Sequence, residues 1–332
     1  MNELLVPSDD VIQNGDEGGV GVSWRLDRTR ISSSQHGAIT DRHPPGISAT
    51  NPAGLSPPIG NDFSMPIIAL LADPPREGLV YPKIVEDSSL TAASATELYT
   101  AVLKDMIRAI AQSGASLLIN HPTEEQLSES ETVQDAGESG AESGSQIPPE
   151  AELRSVVAET IATPDSVRFE PQVGSTFSAR AGNTATHLLR EEGAKSVAIL
   201  RPQVPLLTRT RIDQASIKLR SNDAVIGPGT EGRCYYPAFG VPIDFEAVFT
   251  DPEIESITAR AREGDGSEPG DVEFVPPLPV LERGADLLDI VPNVRARVRA
   301  GRQVPEYTAQ FVADHGLRVR AVDGERRLVT GE

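Results

Sequence analysis

A chain of 332 residues with 38% hydrophobic side chains can build one large core or two small ones, and with 4% aromatics that core is aliphatic. Its 49 acids against 30 bases leave a net charge of −19, which argues against nucleic acid as the main partner, because phosphate backbones are gripped by basic surfaces. The single cysteine, Cys234, excludes an internal disulfide and a cysteine-based zinc cluster. No apolar run approaches the ~18 residues of a membrane span, and no basic-then-apolar leader opens the sequence. These features predict a soluble, cytoplasmic protein. Of the 30 bases only Lys83, Lys104, Lys195 and Lys218 are lysine. Acid excess with scarce lysine is the composition of a protein from a salt-loving archaeon, where molar salt shrinks the Debye length to ~3 Å and screens the self-repulsion. The alternative is an ordinary acidic cytosolic protein.

Residues 1–64 read as a disordered extension: "DEGGVGV", "SSSQHG", "DRHPPG" and "NPAGLSPP" carry no sustained periodicity and too little apolar surface to offset ordering entropy. The pattern changes at "MPIIALLAD", so the sequence suggests Met65 as the true start, the alternative being a genuine disordered tail. From there strands and helices alternate within one domain over 65–332. Ile67–Leu71 reads as a buried strand. Thr91–Ser113 carries Leu98, Val102, Met106 and Ile110 as one stripe of a helix closed by Gly114. "SLLIN" (116–120) is the next strand. Residues 123–150 hold eight acids and no bases and read as a disordered acidic insertion. Glu150–Ile161 is a helix, "VRFEPQ" a strand, Phe177–Glu192 a helix closed by Gly193, "SVAIL" (196–200) a strand, Thr208–Arg220 a helix and "DAVIG" (223–227) a strand. "DVEFVPPL" (271–278) is strand-like, Val304–His315 a helix, and 317–330 a hairpin turning at Asp323-Gly324. Such alternation predicts an α/β fold, a mostly parallel sheet with helices on both faces, followed by a small C-terminal helix and hairpin.

Four segments in this order carry a family resemblance. They are "LADPPREGLVYPKI" (71–84), "PQVGSTFSARAGNTATHLL" (171–189), "SVAILRPQVPLL" with "DAVIGPGTEGRCYYPAF" (196–207, 223–239), and "VEFVPPLPVLERGADLLDIV" (272–291). Together they resemble glycosyltransferase-like proteins of the nucleotide-diphospho-sugar transferase superfamily, most of all the branch related to 2-phospho-L-lactate guanylyltransferase. The resemblance covers most of 65–315. It implies a GT-A-like, Rossmann-like sheet with nucleotide at the carboxyl ends of the first strands, where open α/β sheets generally place ligands.

The resemblance implies a site residue by residue. The family's first loop runs Gly-x-Val-Lys-Thr-Arg; here Gly78 and Val80 remain, Tyr81-Pro82-Lys83 replaces the basic run, and Lys83 is the one side chain left to meet a phosphate. The second motif, Gln-x-Gly-x-x-Leu-x-x-Arg, is matched by Gln172, Gly174, Phe177 and Arg180, with Gly174 admitting a nucleotide to the backbone and Arg180 clamping a phosphate. The family's Gly-Ser-Asp-x-Pro loop holds Mn²⁺ or Mg²⁺ through its aspartate. Here Pro205 persists but Gln203 stands on the aspartate position, so the metal site keeps Glu282 as its better ligand and a neutral amide as its weaker one. Arg201 beside it supplies a fixed charge in place of the lost metal charge. Glu231, near the family's Asp-Gly-Gly position, is a candidate base, and Tyr235 and Tyr236 are either walls of an acceptor pocket or anchors of the sheet. His121 and His187 have no carboxylate or nucleophile partner recognisable in the sequence and read as structural. The expected activity is glycosyl or nucleotidyl transfer from a nucleotide or nucleotide-sugar to an acceptor. The alternative is a non-catalytic member that senses nucleotide or serves assembly.

Overall fold

The computed structural model describes residues 65–134, 147–264 and 268–331; the expected extension 1–64 lies outside them. Seven strands form the central sheet: Ile67–Leu71 (β1), Ser116–His121 (β2), Arg168–Pro171 (β3), Val197–Leu200 (β4), Ala224–Pro228 (β5), Cys234–Phe239 (β6) and Val272–Phe274 (β7). Their order is β3-β2-β1-β4-β6-β5-β7, and all run parallel except β6, which is antiparallel to both β4 and β5. A separate antiparallel hairpin, Arg318–Val322 (β8) with Glu325–Val329 (β9), ends the chain.

Strands β1, β2 and β4 are apolar runs because both faces are covered. From β1, Ile68 and Leu70 enter one core while Ala69 and Leu71 enter the other. The first core is walled by helices Ala92–Ser113 (α2), Pro149–Thr160 (α4), Arg209–Lys218 (α6), Leu287–Arg299 (α8) and Glu306–Asp314 (α9). The second is walled by Phe177–Thr186 (α5) and Glu253–Glu263 (α7). Helix α2 starts where the Thr91 side chain accepts from the Ser94 N–H at 3.1 Å and stops at Gly114, whose φ of 80° only glycine adopts freely. Its stripe of Leu98, Val102, Met106 and Ile110 is buried. Asp105 on the same helix reaches α9, accepting from the Tyr307 N–H at 3.1 Å and from the Thr308 N–H and Oγ1 at 2.7 Å each. A carboxylate on the free N–H groups of a first turn satisfies them and complements the helix dipole.

The structure bears on three expectations. The acidic stretch 123–150 is ordered at both ends: Glu124–Gln134 (α3) is helical, opening with Thr123 and Gln126 bonded to each other's backbone N–H groups, and Pro149 starts α4; residues 135–146 lie outside the described ones. The segment with Tyr235 and Tyr236 is a strand inside the sheet, not a turn, and both rings are buried, which favours the second of the two readings above: they anchor the sheet. The strand expected over 271–278 is confined to β7, because Pro276, Pro277 and Pro279 follow Val275 and cannot donate to a ladder. Among the described residues no helix is long and apolar enough to cross a membrane.

Candidate functional site

The chain winds outward through β1, β2 and β3, then returns to lay β4 on the other side of β1. The loops leaving the carboxyl ends of β1 and β4 therefore diverge and open a crevice at the reversal of strand order. A cavity of about 230 Å³ occupies this place. Lys83, Gln172, Arg180, Arg201, Gln203 and Glu282 all line it, so six expected site residues from four distant segments meet there. Asp73, two residues past β1, also lines it and was not singled out in the sequence.

Each side chain is set by its backbone. Tyr81, with φ 53°, turns the chain into a short helix, Pro82–Asp87 (α1), and donates its hydroxyl to the Pro202 carbonyl, pinning the β1 loop to the β4 loop. A non-glycine residue in this region costs of order 1 kcal/mol and persists where the surroundings over-determine it. Gly174 has φ 132°, and a Cβ there would stand 2.9 Å from the Ala179 carbonyl carbon and from the Arg180 nitrogen. Only glycine lets the loop cross the first turn of α5, where Arg180 is carried. Gln172 is buried and donates Nε2 to the Asn120 carbonyl at 2.8 Å, so its amide serves the β2–β3 junction. Gly78 (φ 81°) makes the turn of the β1 loop, with no atom where its side chain would be, and lies outside the cavity lining.

Three cations face the cleft. Arg201 donates to Glu253 at 2.7 Å, and its guanidinium lies 4.7 Å from the Phe177 ring centroid, which fixes its orientation. The Glu253 carboxylate is held in turn by the Cys234 N–H at 2.8 Å. Arg180 forms no ion pair among the described residues, and its Nε is buried without a partner. Lys83 donates Nζ to Glu282 at 2.6 Å across 199 residues of sequence. Glu282 is placed by Asp286, whose Oδ2 accepts from the backbone N–H groups of Glu282 and Arg283 at 2.8 Å each, while Arg233, 3% exposed, grips Asp286 at 2.6 and 2.8 Å. Burial pushes the Glu282 carboxyl up, but the Lys83 hydrogen bond and the charges of Lys83, Arg201 and Arg233 outweigh it, leaving the group below the usual carboxylate range. Asp73 behaves oppositely: burial raises its carboxyl, and the nearby Arg180 charge only partly offsets this. Its backbone N–H and C=O both bond the Tyr99 hydroxyl at 3.0 Å.

Glu231 is not brought into the cleft. It sits at φ 58°, with Arg233 at 3.6 Å and Arg283 at 3.5 Å. His187 does have carboxylate neighbours, Glu191 at 2.7 Å and Glu192 at 3.3 Å, on an exposed turn away from the cavity. His121 faces Glu150 at 3.6 Å, and its Nδ1 donates to the Pro122 carbonyl, 3.0 Å away. Cys234 is buried, its thiol pushed up to about 12. The donor set does not fit a divalent cation: Glu282 is engaged by Lys83, Gln203 is neutral, and among the described residues no three His, Cys, Asp or Glu side chains gather as metal ligands would.

No protein-family model matches the chain, and no curated protein sequence matches it. Solved structures do. A candidate nucleotide-diphospho-sugar transferase of Desulfovibrio desulfuricans G20 superposes with a TM-score of 0.56 at 16% identity, over 76% of this chain and 95% of that one. Looser matches are 4-diphosphocytidyl-2C-methyl-D-erythritol synthase of Anaerococcus prevotii (TM-score 0.35, 11% identity, 64% of this chain and 87% of that one) and Rv0371c of Mycobacterium tuberculosis (0.32, 12%, 68% and 97%). The likeness at 0.56 shows a shared fold, a mostly parallel α/β sheet with helices on both faces. What this chain does with that fold is a question for the cleft.

Proposed function

We propose that the cleft binds a nucleotide or nucleotide-sugar and transfers its glycosyl or nucleotidyl group to an acceptor, with fixed cations serving the phosphates in place of a metal. The observation that carries this is the convergence of Lys83, Arg180 and Arg201 on one cavity at the strand-order reversal. A guanidinium pre-oriented by Glu253 and Phe177 loses little freedom when it meets a phosphate, and an unpaired one such as Arg180 needs no partner displaced. In the step, an acceptor oxygen attacks the anomeric carbon or the phosphorus, the bond to the departing phosphate oxygen breaks with its electrons, and the acceptor proton passes to Asp73. That carboxyl lines the cavity, forms no ion pair among the described residues, and is raised toward the range in which a base works. The resemblance of the four sequence segments to the guanylyltransferase branch favours a nucleotidyl donor within this class.

A second reading, nucleotide binding without turnover, is favoured by one observation: Lys83 and Glu282 close on each other, so neither side chain is free for a reacting group. Both readings put the phosphates on Arg180. Arg180→Ala removes a charge-assisted hydrogen bond of ~1.5 kcal/mol or more, so nucleotide affinity measured by calorimetry falls at least tenfold. Unchanged affinity in that variant would place the site elsewhere. Release of a diphosphate product by the wild-type chain separates the enzyme from the sensor.

A further inference from the structure

Eight arginines and no lysine lie in the last 38 residues, against five acids, in a chain whose net charge is −19. Helix and strand periodicity concentrates them. Arg295 and Arg299 are four apart on α8 and share a face, and Arg318 and Arg320 are two apart on β8 and share a side. The four border a cavity of about 240 Å³ that no carboxylate lines. It stands apart from the nucleotide cleft, with which it shares no residue.

The arrangement is costly as it stands. Among the described residues, Arg299, Arg318 and Arg320 form no ion pair. The Nε of Arg318 is buried without a hydrogen-bond partner. Across the hairpin Arg320 is in register with Arg327, and like charges directly opposite destabilise a ladder. Arg295 gives one bond to the Leu317 carbonyl at 3.3 Å; burial first, then the charges of Arg299 and Arg318, make its protonated form less favourable than usual. Neighbouring ion pairs show that the same surface can neutralise arginine where it needs to: Arg326 meets Asp289 at 2.9 Å and Arg327 meets Glu325 at 3.2 Å.

We propose that this cavity is a binding site for a phosphate group, with Arg295, Arg299, Arg318 and Arg320 as its ligands. Guanidinium forks match phosphate oxygens in pairs, and a multiply charged anion relieves the mutual repulsion of all four at once. An open cavity of this size takes a small phosphate compound; a nucleic-acid strand would need a continuing basic track, which the net charge of the rest of the chain opposes. The site stands independently of the activity proposed for the cleft.

The test uses the full-length chain carrying Arg180→Ala, which weakens phosphate binding in the cleft. Calorimetric titrations with inorganic phosphate and with inorganic diphosphate, at ionic strength matched with chloride, show saturable binding. Adding Arg299→Ala and Arg320→Ala weakens it at least tenfold. Both added positions are exposed, and removing them lessens repulsion, so the melting midpoint in phosphate-free buffer stays level or rises. The stronger of the two titrants identifies the source as free phosphate or diphosphate. Absence of binding to either, equal binding after the two substitutions, a midpoint several degrees lower without phosphate, or preference for a single-stranded oligonucleotide over both titrants would each overturn the proposal.

Discussion

At the scale of residues, the cleft depends on two backbone constraints and one ion pair. Gly174→Ala puts a methyl 2.9 Å from the start of α5 at a φ that alanine resists, so α5 must shift and Arg180 with it. We expect a stability loss of about 2 kcal/mol by denaturant unfolding and weaker nucleotide binding from the same cause. Glu282→Gln should act differently. It frees Lys83 and removes a negative charge from the cleft, so phosphate-bearing ligands bind more tightly. The wild-type carboxyl is depressed in the folded state, so whatever stability the pair contributes is present above the unfolded value of about 4.5 and is lost as pH falls through the lower folded value. Lys83 is 55% exposed, which keeps that contribution small, and the difference between wild type and variant should vanish in acid. The residue types of the cleft were legible in sequence, since Lys83, Gln172, Arg180, Arg201, Gln203 and Glu282 all meet there. Their pairing was not. Nothing local to Glu282 tells that a lysine 199 residues away engages it, and nothing in "LADPP" tells that Asp73 is the carboxyl raised by burial.

At the scale of elements, strands covered on both faces announce themselves and the others do not. β1, β2 and β4 are short continuous apolar runs and were readable as such. β6 reads Cys-Tyr-Tyr-Pro-Ala-Phe, with Pro237 opposite Ile226, and its glycine-rich approach resembles a loop; pairing on both sides makes it a strand despite its composition. Helix α8 carries Leu287, Ile290, Val291 and Val294 at helical spacing, but Pro292 interrupts the pattern that would have declared it. The acidic composition of α3 concealed a helix whose first turn is favoured by Glu124 and Glu125. The most exposed dependency at this scale is α9, held to α2 through Asp105. Asp105→Ala leaves the Tyr307 and Thr308 N–H groups unmatched and is expected to cost about 3 kcal/mol. Burial outweighs these hydrogen bonds and raises the carboxyl above its model-peptide value of 3.8, so the folded chain holds the proton more tightly than the unfolded one. The group's contribution is therefore fullest below 3.8 and declines as pH climbs through the raised value; Asp105→Asn should abolish that part of the pH profile.

At the scale of the whole molecule, a chain of net −19 gathers cations at the cleft and at the C-terminal arginine cavity, and both proposals place phosphate groups on them. The central claim is that the cleft takes nucleotide phosphates on Arg180, Arg201 and Lys83 without a metal. The direct measurement is the melting midpoint of the full chain against a panel of nucleotides and nucleotide-sugars, each with Mn²⁺, with Mg²⁺ and with EDTA. A ligand at 100 times its Kd adds about 2.7 kcal/mol, readily seen as a shifted midpoint. The account predicts stabilisation by one nucleotide family, equal in EDTA and in metal, and clearly reduced in Arg180→Ala. Stabilisation that appears only with Mn²⁺ or Mg²⁺, or flat melting curves across the whole panel, would contradict it.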